Sequence, residues 1–360
     1  MPRYLRRLTL ALLLALIPVT AVADIVIGSW NIRHLGWANG KRFDQVAQIA
    51  QTMDIVAIQE VMDPAAVDRL EQRLERQTGE AWQSMTSHLI GRGSYREAYA
   101  FLYRDASVEY VDGAVVFLDH GDTFSREPYS ARFRSRHSGT DFVLANIHVL
   151  YGDSVSDRLP EIHALGDYWD WLEEVYGDTP RVLACDCNLA SEHRGWRPMR
   201  NRGVVSVAND GATTLSSHHG VYANEYDHLW VVPGRLQVTD AGKLRFPELL
   251  GISHEQARAT VSDHAPVWIA LGDAQLRIDS SLGASHARES QAANDPVYDC
   301  VDLNRSPRDV LERLPHIGEA RSRHVVEGRP WDAPESLQRI RGLGPSRVGD
   351  IIDSGLLCHG

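Results

Sequence analysis

Eight polar residues stand where apolar stretches begin or end. Asn31 follows the run from Ile25 to Trp30, Glu60 lies near the end of Ile55 to Val61, and His148 ends Phe142 to Ile147. Asp186 and Asn188 close the run that starts at Arg181. Asp227 opens the run to Val232, and Asp263-His264 stand just before Val267 to Leu271. An isolated Asp-His pair is more often a capping acid beside a surface imidazole, and a lone His is more often structural. Taken together, the set offers oxygen ligands for a hard cation and two imidazoles for proton transfer. Oxygen donors favour Mg²⁺ or Mn²⁺ over Zn²⁺. The chemistry that fits is metal-assisted hydrolysis of a phosphoester.

Such residues need strands to carry them to one edge and helices to cover the strands. The spacing of Phe43, Val46, Ile49, Ala50 and Met53 predicts a helix between the first two strands. A second helix opens at Pro64, with Val67, Leu70 and Leu74 on one face, and a long one spans 159–176. Further strands are expected from Tyr99 to Arg104, Val115 to Leu118 and Tyr129 to Arg134. Strands interleaved with helices, ending on a strand, predict a two-layered β core with helices outside.

The chain has 360 residues, 43% hydrophobic, and a formal net charge of -11. That charge excludes a nucleic-acid binder working by bulk attraction, so any such contact is local or screened by cations. Residues 1–23 read as a secretory signal: Arg3, Arg6 and Arg7, an apolar run from Leu10 to Ile17, then Ala21-Val22-Ala23. The run is too short to span a bilayer. The mature chain is therefore expected from Asp24 onward, exported to a periplasmic or extracellular destination, with no stable membrane span. In that oxidising setting Cys300 and Cys358 are placed to staple the last segment. Cys185 and Cys187 flank Asp186 on one strand and are expected as buried thiols.

Six elements in order resemble the endonuclease/exonuclease/phosphatase superfamily over about 24–272. They are Trp30-Asn31-Ile32-Arg33, Ile58-Gln59-Glu60-Val61, Asn146-Ile147-His148, Asp186-Cys187-Asn188, Tyr226-Asp227 and Ser262-Asp263-His264. Ser94-Tyr95-Arg96-Glu97 and Phe124-Ser125-Arg126-Glu127-Pro128 resemble its deoxyribonuclease I branch. The resemblance implies a four-layer α/β sandwich of two packed, mostly antiparallel sheets with outer helices. It implies Glu60, Asn31, Asp186 and Asp263 around a Mg²⁺ or Mn²⁺ ion. His264 oriented by Asp227 and His148 oriented by Glu97 would be the acid and base groups. Asn188 would bind the scissile phosphate, and Arg33, Tyr95 and Arg104 would grip the backbone or shape its groove. Met62 stands where that branch carries a groove-reading Arg, and Cys185 and Cys187 replace a Gly and a Phe. Asn209 to Thr214 loosely resembles a structural Ca²⁺ loop, although a solvated turn satisfies the same residues.

Residues 273–298 read as a polar linker. Beyond it, Leu314 to Arg321 and Ile340 to Arg347 resemble the tandem helix-hairpin-helix motifs of competence-type DNA receptors, in a small all-α module over 299–360. Such hairpins present backbone N–H groups to a phosphate without reading bases. The resemblance implies Gly318, Arg321, Gly342, Gly344 and Arg347 as DNA contacts, with His316 in place of the first hairpin's first Gly. The expectation is an exported, monomeric endodeoxyribonuclease tethered to DNA, duplex or single strand. The alternatives are a phosphoesterase of the same fold acting on lipid or small phosphate esters, and a DNA-capture protein with weak or no catalysis.

Overall fold

The computed structural model describes residues 24–208, 211–216, 220–278 and 300–358. The signal segment, Asn209 and Asp210 of the Ca²⁺-like loop, and most of the linker lie outside the described residues. Among those described, no helix is long and apolar enough to cross a membrane.

Two six-stranded sheets pack face to face. The first contains β1 (Ile25–Leu35), β2 (Ile55–Val61), β3 (Trp82–Thr86), β4 (Ala98–Arg104), and two late strands, β11 (Val238–Lys243) and β12 (Val267–Leu271). The second contains β5 (Val108–Val116), β6 (Tyr129–Ser135), β7 (Asp141–His148), β8 (Arg181–Asp186), β9 (Val205–Ser206) and β10 (Asp227–Val231). Helices α1 (Phe43–Ala50) and α2 (Ala65–Thr78) cover the first sheet, and α3 (Val155–Tyr176) covers the second. Short helices α4 (Arg197–Arg200), α5 (Phe246–Leu250) and α6 (His254–Thr260) fill the margins. The layers follow from alternation. Val26, Trp30, Val56 and Ile58 pack under the helices, while Ile25, Ile27, Ile55 and Ala57 face the other sheet. The predicted strand at 115–118 lies earlier, at β5, and β3, β9 and β11 carried too little pattern to be predicted.

Each sheet has one parallel pair at its centre, β1 with β2 and β7 with β8, and antiparallel neighbours on both sides. The C-terminal ends of the parallel strands therefore share an edge with the N-terminal ends of their flanking strands. His148 and Asp186 end central strands and Asn31 and Glu60 lie toward the C-terminal ends of theirs, whereas Glu97, Asp227 and His264 precede or open flanking ones. All seven come to one edge. A buried polar network fixes the sheets against each other beneath that edge: Gln59 donates to Asn146 at 2.7 Å, and Asn146 donates to the carbonyls of Ile58 and Ala100.

The C-terminal unit has its own core of Leu311, Leu314, Val325, Leu337, Leu343, Val348 and Ile351, among others. Its helices are α7 (Arg308–Leu311), α8 (Glu319–Glu327) and α9 (Pro345–Asp353). Cys300 and Cys358 form a disulfide across its ends. The two hairpins repeat each other: Arg321 donates to the carbonyl of His316 and Arg347 to that of Gly342. His316 adopts φ 63° and Gly342 φ 85°, so a histidine takes the left-handed turn that favours glycine. The start of the expected linker packs on the sandwich, where Arg277 pairs with Asp54 at 3.0 Å.

Candidate active site

Asp186 is the centre of the site. It ends β8 in register with His148 on one side and Asp227 on the other. Its carboxylate lies 3.6 Å from His148 Nε2 and 3.7 Å from His264 Nε2. Two imidazoles thus point at one buried carboxylate from opposite flanks.

Each imidazole is held from behind by an acid of the other sheet. His148, from the second sheet, bonds through Nδ1 to Glu97 at 2.9 Å, just before β4 of the first. His264, just before β12 of the first sheet, bonds through Nδ1 to Asp227 at 2.8 Å, in β10 of the second. Such a bond fixes the ring and leaves Nε2 facing the cleft. Burial disfavours both charged rings. For His148 the Glu97 carboxylate outweighs it, and the ring's pKa ends above the usual histidine value, although Arg126 pulls it down. For His264 burial is outweighed by Asp227 and then Asp186, which hold the pKa well above that value. Glu97 is itself buried, which would raise its pKa, but the imidazole and Arg126 bring it below the usual carboxylate range.

Glu60 reaches the site through irregular backbone. Its φ is 59°, inside a register shift between Ile58 and Val61. A bulge of this kind re-aims one side chain, here out of the sheet and into the edge. The amide nitrogen of Asn31 donates to Glu60 and to Asp186, 2.9 Å to each. Two carboxylates therefore share one electropositive group, and their oxygens are the donor type that a hard cation takes. The Asn31 side-chain oxygen accepts from Arg33 N, so this residue orders the two acids through its amide nitrogen. The Asp263 carboxylate lines the same cleft and pairs with Arg33 at 3.5 Å and Arg258 at 3.8 Å. Oxygen and nitrogen atoms of Asp186, Asp227 and His264 also lie within 4.8 Å of one another. This grouping, within which Asp227 and His264 are also bonded to each other, is an acidic and imidazole set able to hold a metal ion.

Asn188 follows Asp186 in a left-handed turn at φ 51°, its amide donating to Val149 O at 2.9 Å. Cys185 and Cys187 are joined by a disulfide, not present as thiols. The two cysteines lie 5.2 Å apart at Cα, because the chain leaves the extended strand at Asp186 and brings them together. Arg104 is misplaced by the sequence reading. It ends β4, which runs antiparallel to β2, and so stands at the opposite edge from Glu60. There it pairs with Asp54 and Glu80 and stacks over Trp82. Tyr95 does reach the site, donating to Glu97 at 3.2 Å.

Two working residues were missed. Arg126 lies 3.3 Å from Glu97 and donates to the carbonyl of His148. The Phe124–Pro128 stretch had signalled a likeness there without showing that its arginine mattered. Thr213 donates to Asp227 at 2.6 Å. It lies in the stretch read as a Ca²⁺ loop or a turn, and its hydroxyl serves the second imidazole instead.

No family model matches the chain. It is 45% identical over 368 residues to a deoxyribonuclease of Thioalkalivibrio sp. (strain K90mix), covering 99% of each chain. It is 31% identical over 289 residues to deoxyribonuclease-1 of Equus caballus, covering 74% of this chain and 98% of that one. The chain belongs to the deoxyribonuclease I family. Its fold is shared more widely. An endonuclease/exonuclease/phosphatase from Bacteroides vulgatus superposes with a TM-score of 0.50 at 18% identity, over 70% of this chain and 99% of that one. A mannosyl-6-phosphatase of Bacteroides thetaiotaomicron does so with 0.50 at 17% identity, over 69% and 99%. Membership makes the chain a hydrolytic phosphodiesterase, and the two crossed imidazole–carboxylate pairs offer groups able to donate and accept protons.

Proposed function

We propose that this protein is an exported, divalent-metal-dependent endodeoxyribonuclease that cuts DNA with little sequence preference. The observation that carries the reading is the pair of imidazoles converging on Asp186 beside an amide-bridged Glu60. Relatives named as deoxyribonucleases support DNA as the substrate. Glu60 and Asp186 would hold the cation, Mg²⁺ or Mn²⁺, which would offset charge developing on the phosphoryl oxygens. Asn188 would donate its second amide hydrogen to the same phosphoryl group.

A phosphodiester is hard to cleave because it is anionic and its leaving alkoxide is poor. His264, whose proton is held more firmly than that of His148, would protonate the leaving oxygen. His148, whose charge Arg126 opposes, would take the proton of the attacking water. Arg33 and Tyr95 border the site and would contact flanking phosphate or sugar. The signal-like start and the disulfide at Cys300 and Cys358 support an oxidising destination. The C-terminal hairpins support DNA binding outside the scissile step.

The test is supercoiled plasmid with the mature chain and Mg²⁺, Mn²⁺, added Ca²⁺ or EDTA, followed by gel over time. Nicked and then linear plasmid with metal, and intact plasmid with EDTA, is the expected result. Plasmid left intact in every metal would refute the reading.

A further inference from the structure

The cleft over Asp186, about 890 Å³, has two walls. One is the sandwich edge with Glu60, Tyr95, His148, Asp186, Asn188 and His264. The other is the C-terminal unit, through Leu314, His316, Ile317, Gly318 and Arg321. We infer that the first hairpin is a working part of the substrate cleft, binding phosphates of the very strand that is cut, a few nucleotides from the scissile bond. The inference rests on the reading of the site as a deoxyribonuclease. It differs from a tether, which would hold DNA somewhere else along its length.

The unit is fastened on both sides of the cleft. On the His148 side, Arg347 pairs with Asp153 at 2.5 Å and donates to its carbonyl at 3.1 Å. Val155 N, at the start of α3, donates to Asp350 at 3.3 Å, and the same Asp350 oxygen is bonded to His316 at 2.8 Å. On the Asp227 side, Ser216 donates to Glu312 at 3.2 Å. Glu312 is an acid on a wall meant for phosphate, but both its oxygens accept hydroxyl bonds, from Ser216 and Ser322.

The two hairpins also show what each arginine takes. Arg321 and Arg347 are equivalent by their bonds to the carbonyls of His316 and Gly342. Arg347 is filled by the Asp153 carboxylate. Arg321 has no carboxylate partner among the described residues and lines the open cleft. Guanidinium groups bind carboxylate and phosphate with the same fork of donors. The sequence reading gave both arginines to DNA; in the structure both line the cleft, Arg347 with its guanidinium on Asp153 and Arg321 with no carboxylate partner among the described residues. Asp153 is 86% exposed at its side chain, so changing it tests docking without disturbing a core.

The experiment measures kcat/KM of the full chain with Mg²⁺ on oligonucleotides from two to about sixteen nucleotides, the span over which strand-binding sites are built. The expected profile for the wild type is a step at a short length, where the strand first reaches Arg321. Arg321→Glu should remove the step, lowering the ratio of the longest to the shortest substrate about tenfold. Asp153→Arg should lower the same ratio by opposing Arg347, and the exchanged pair Asp153→Arg with Arg347→Asp should restore it. A step left intact by Arg321→Glu overturns the inference in favour of a remote tether. A rise in kcat/KM at every length with Asp153→Arg overturns it in favour of a lid. Cleavage of no oligonucleotide by the wild type would overturn the inference if plasmid is still cut, and would remove the deoxyribonuclease reading itself if plasmid is left intact as well.

Discussion

The two imidazole–carboxylate pairs are built alike and supported differently. Each crosses between the sheets, and each turns Nε2 toward Asp186. Behind His148, the Glu97 carboxylate is shared with the guanidinium of Arg126 and the hydroxyl of Tyr95. Behind His264, the further side-chain donor that Asp227 meets among the described residues is the neutral hydroxyl of Thr213. A nearby cation spends part of the field that Glu97 exerts on its imidazole, whereas Asp227 acts on His264 undiluted. A dication at Glu60 and Asp186 would cancel Asp186's pull on both rings but leave that contrast. One geometry can therefore supply a proton donor and a proton acceptor, distinguished by what stands behind the carboxylates.

The largest test of the contrast is removal of each ring. His264→Ala and His148→Ala should each lower plasmid nicking by about 10²–10⁴-fold while DNA binding in a gel shift is kept. The double variant should be little worse than the poorer single one, because both act on one transition state. Near-normal cutting by either single variant would remove that pair from the mechanism.

Changing the acids comes next, at about 10–100-fold each. The two should differ in the pH profile of kcat/KM. Asp227→Asn removes the carboxylate that raises His264, so the alkaline limb should move to lower pH. Glu97→Gln removes the one that raises His148, so the acidic limb should move to lower pH instead. Movement of the same limb in both variants would show that the donor and acceptor roles are not divided in this way.

Stability should report the same shifts in metal-free protein. Both rings hold their proton more firmly folded than unfolded. Their contribution is then full below a pH of about 6.5 and is lost as pH rises through the raised values. The melting temperature of the metal-free chain should fall between mildly acidic and alkaline pH by more than that of His264→Gln. Equal slopes would mean that His264 is not raised in the folded state. The smallest effects belong to the supporting hydroxyls. Tyr95→Phe removes one hydrogen bond worth about 1 kcal/mol, a loss of roughly fivefold in kcat/KM, while Thr213→Val, which also strips the amides of Tyr226 and Asp227 of their acceptor, should cost more and move the alkaline limb.

Much of this site was legible from position alone. Asn31, Glu60, His148, Asp186 and His264 interrupt apolar runs, and a polar residue at the end of a buried strand has to emerge at a sheet edge. Arg104 shows where that reasoning stops. It ends an apolar run as His148 does, but its strand points the other way, and alternation records burial without direction. Thr213 shows a second limit, since a loop hydroxyl carries no pattern until the acid it serves is known.

The sequence by itself determined the chemical inventory: two imidazoles, their acids, a hard-cation donor set, and strands enough to gather them. The resemblance already implied which acid stands behind which imidazole; only the tertiary structure showed how each acid reaches its ring, across from the other sheet. It also decided that Cys185 and Cys187 are bonded, that Asn31 bridges two acids, and that the C-terminal unit walls the cleft. The physical reason is common to all four. Periodicity and spacing report each segment's own exposure, whereas these contacts depend on how the chain bends and on surfaces that meet only after packing.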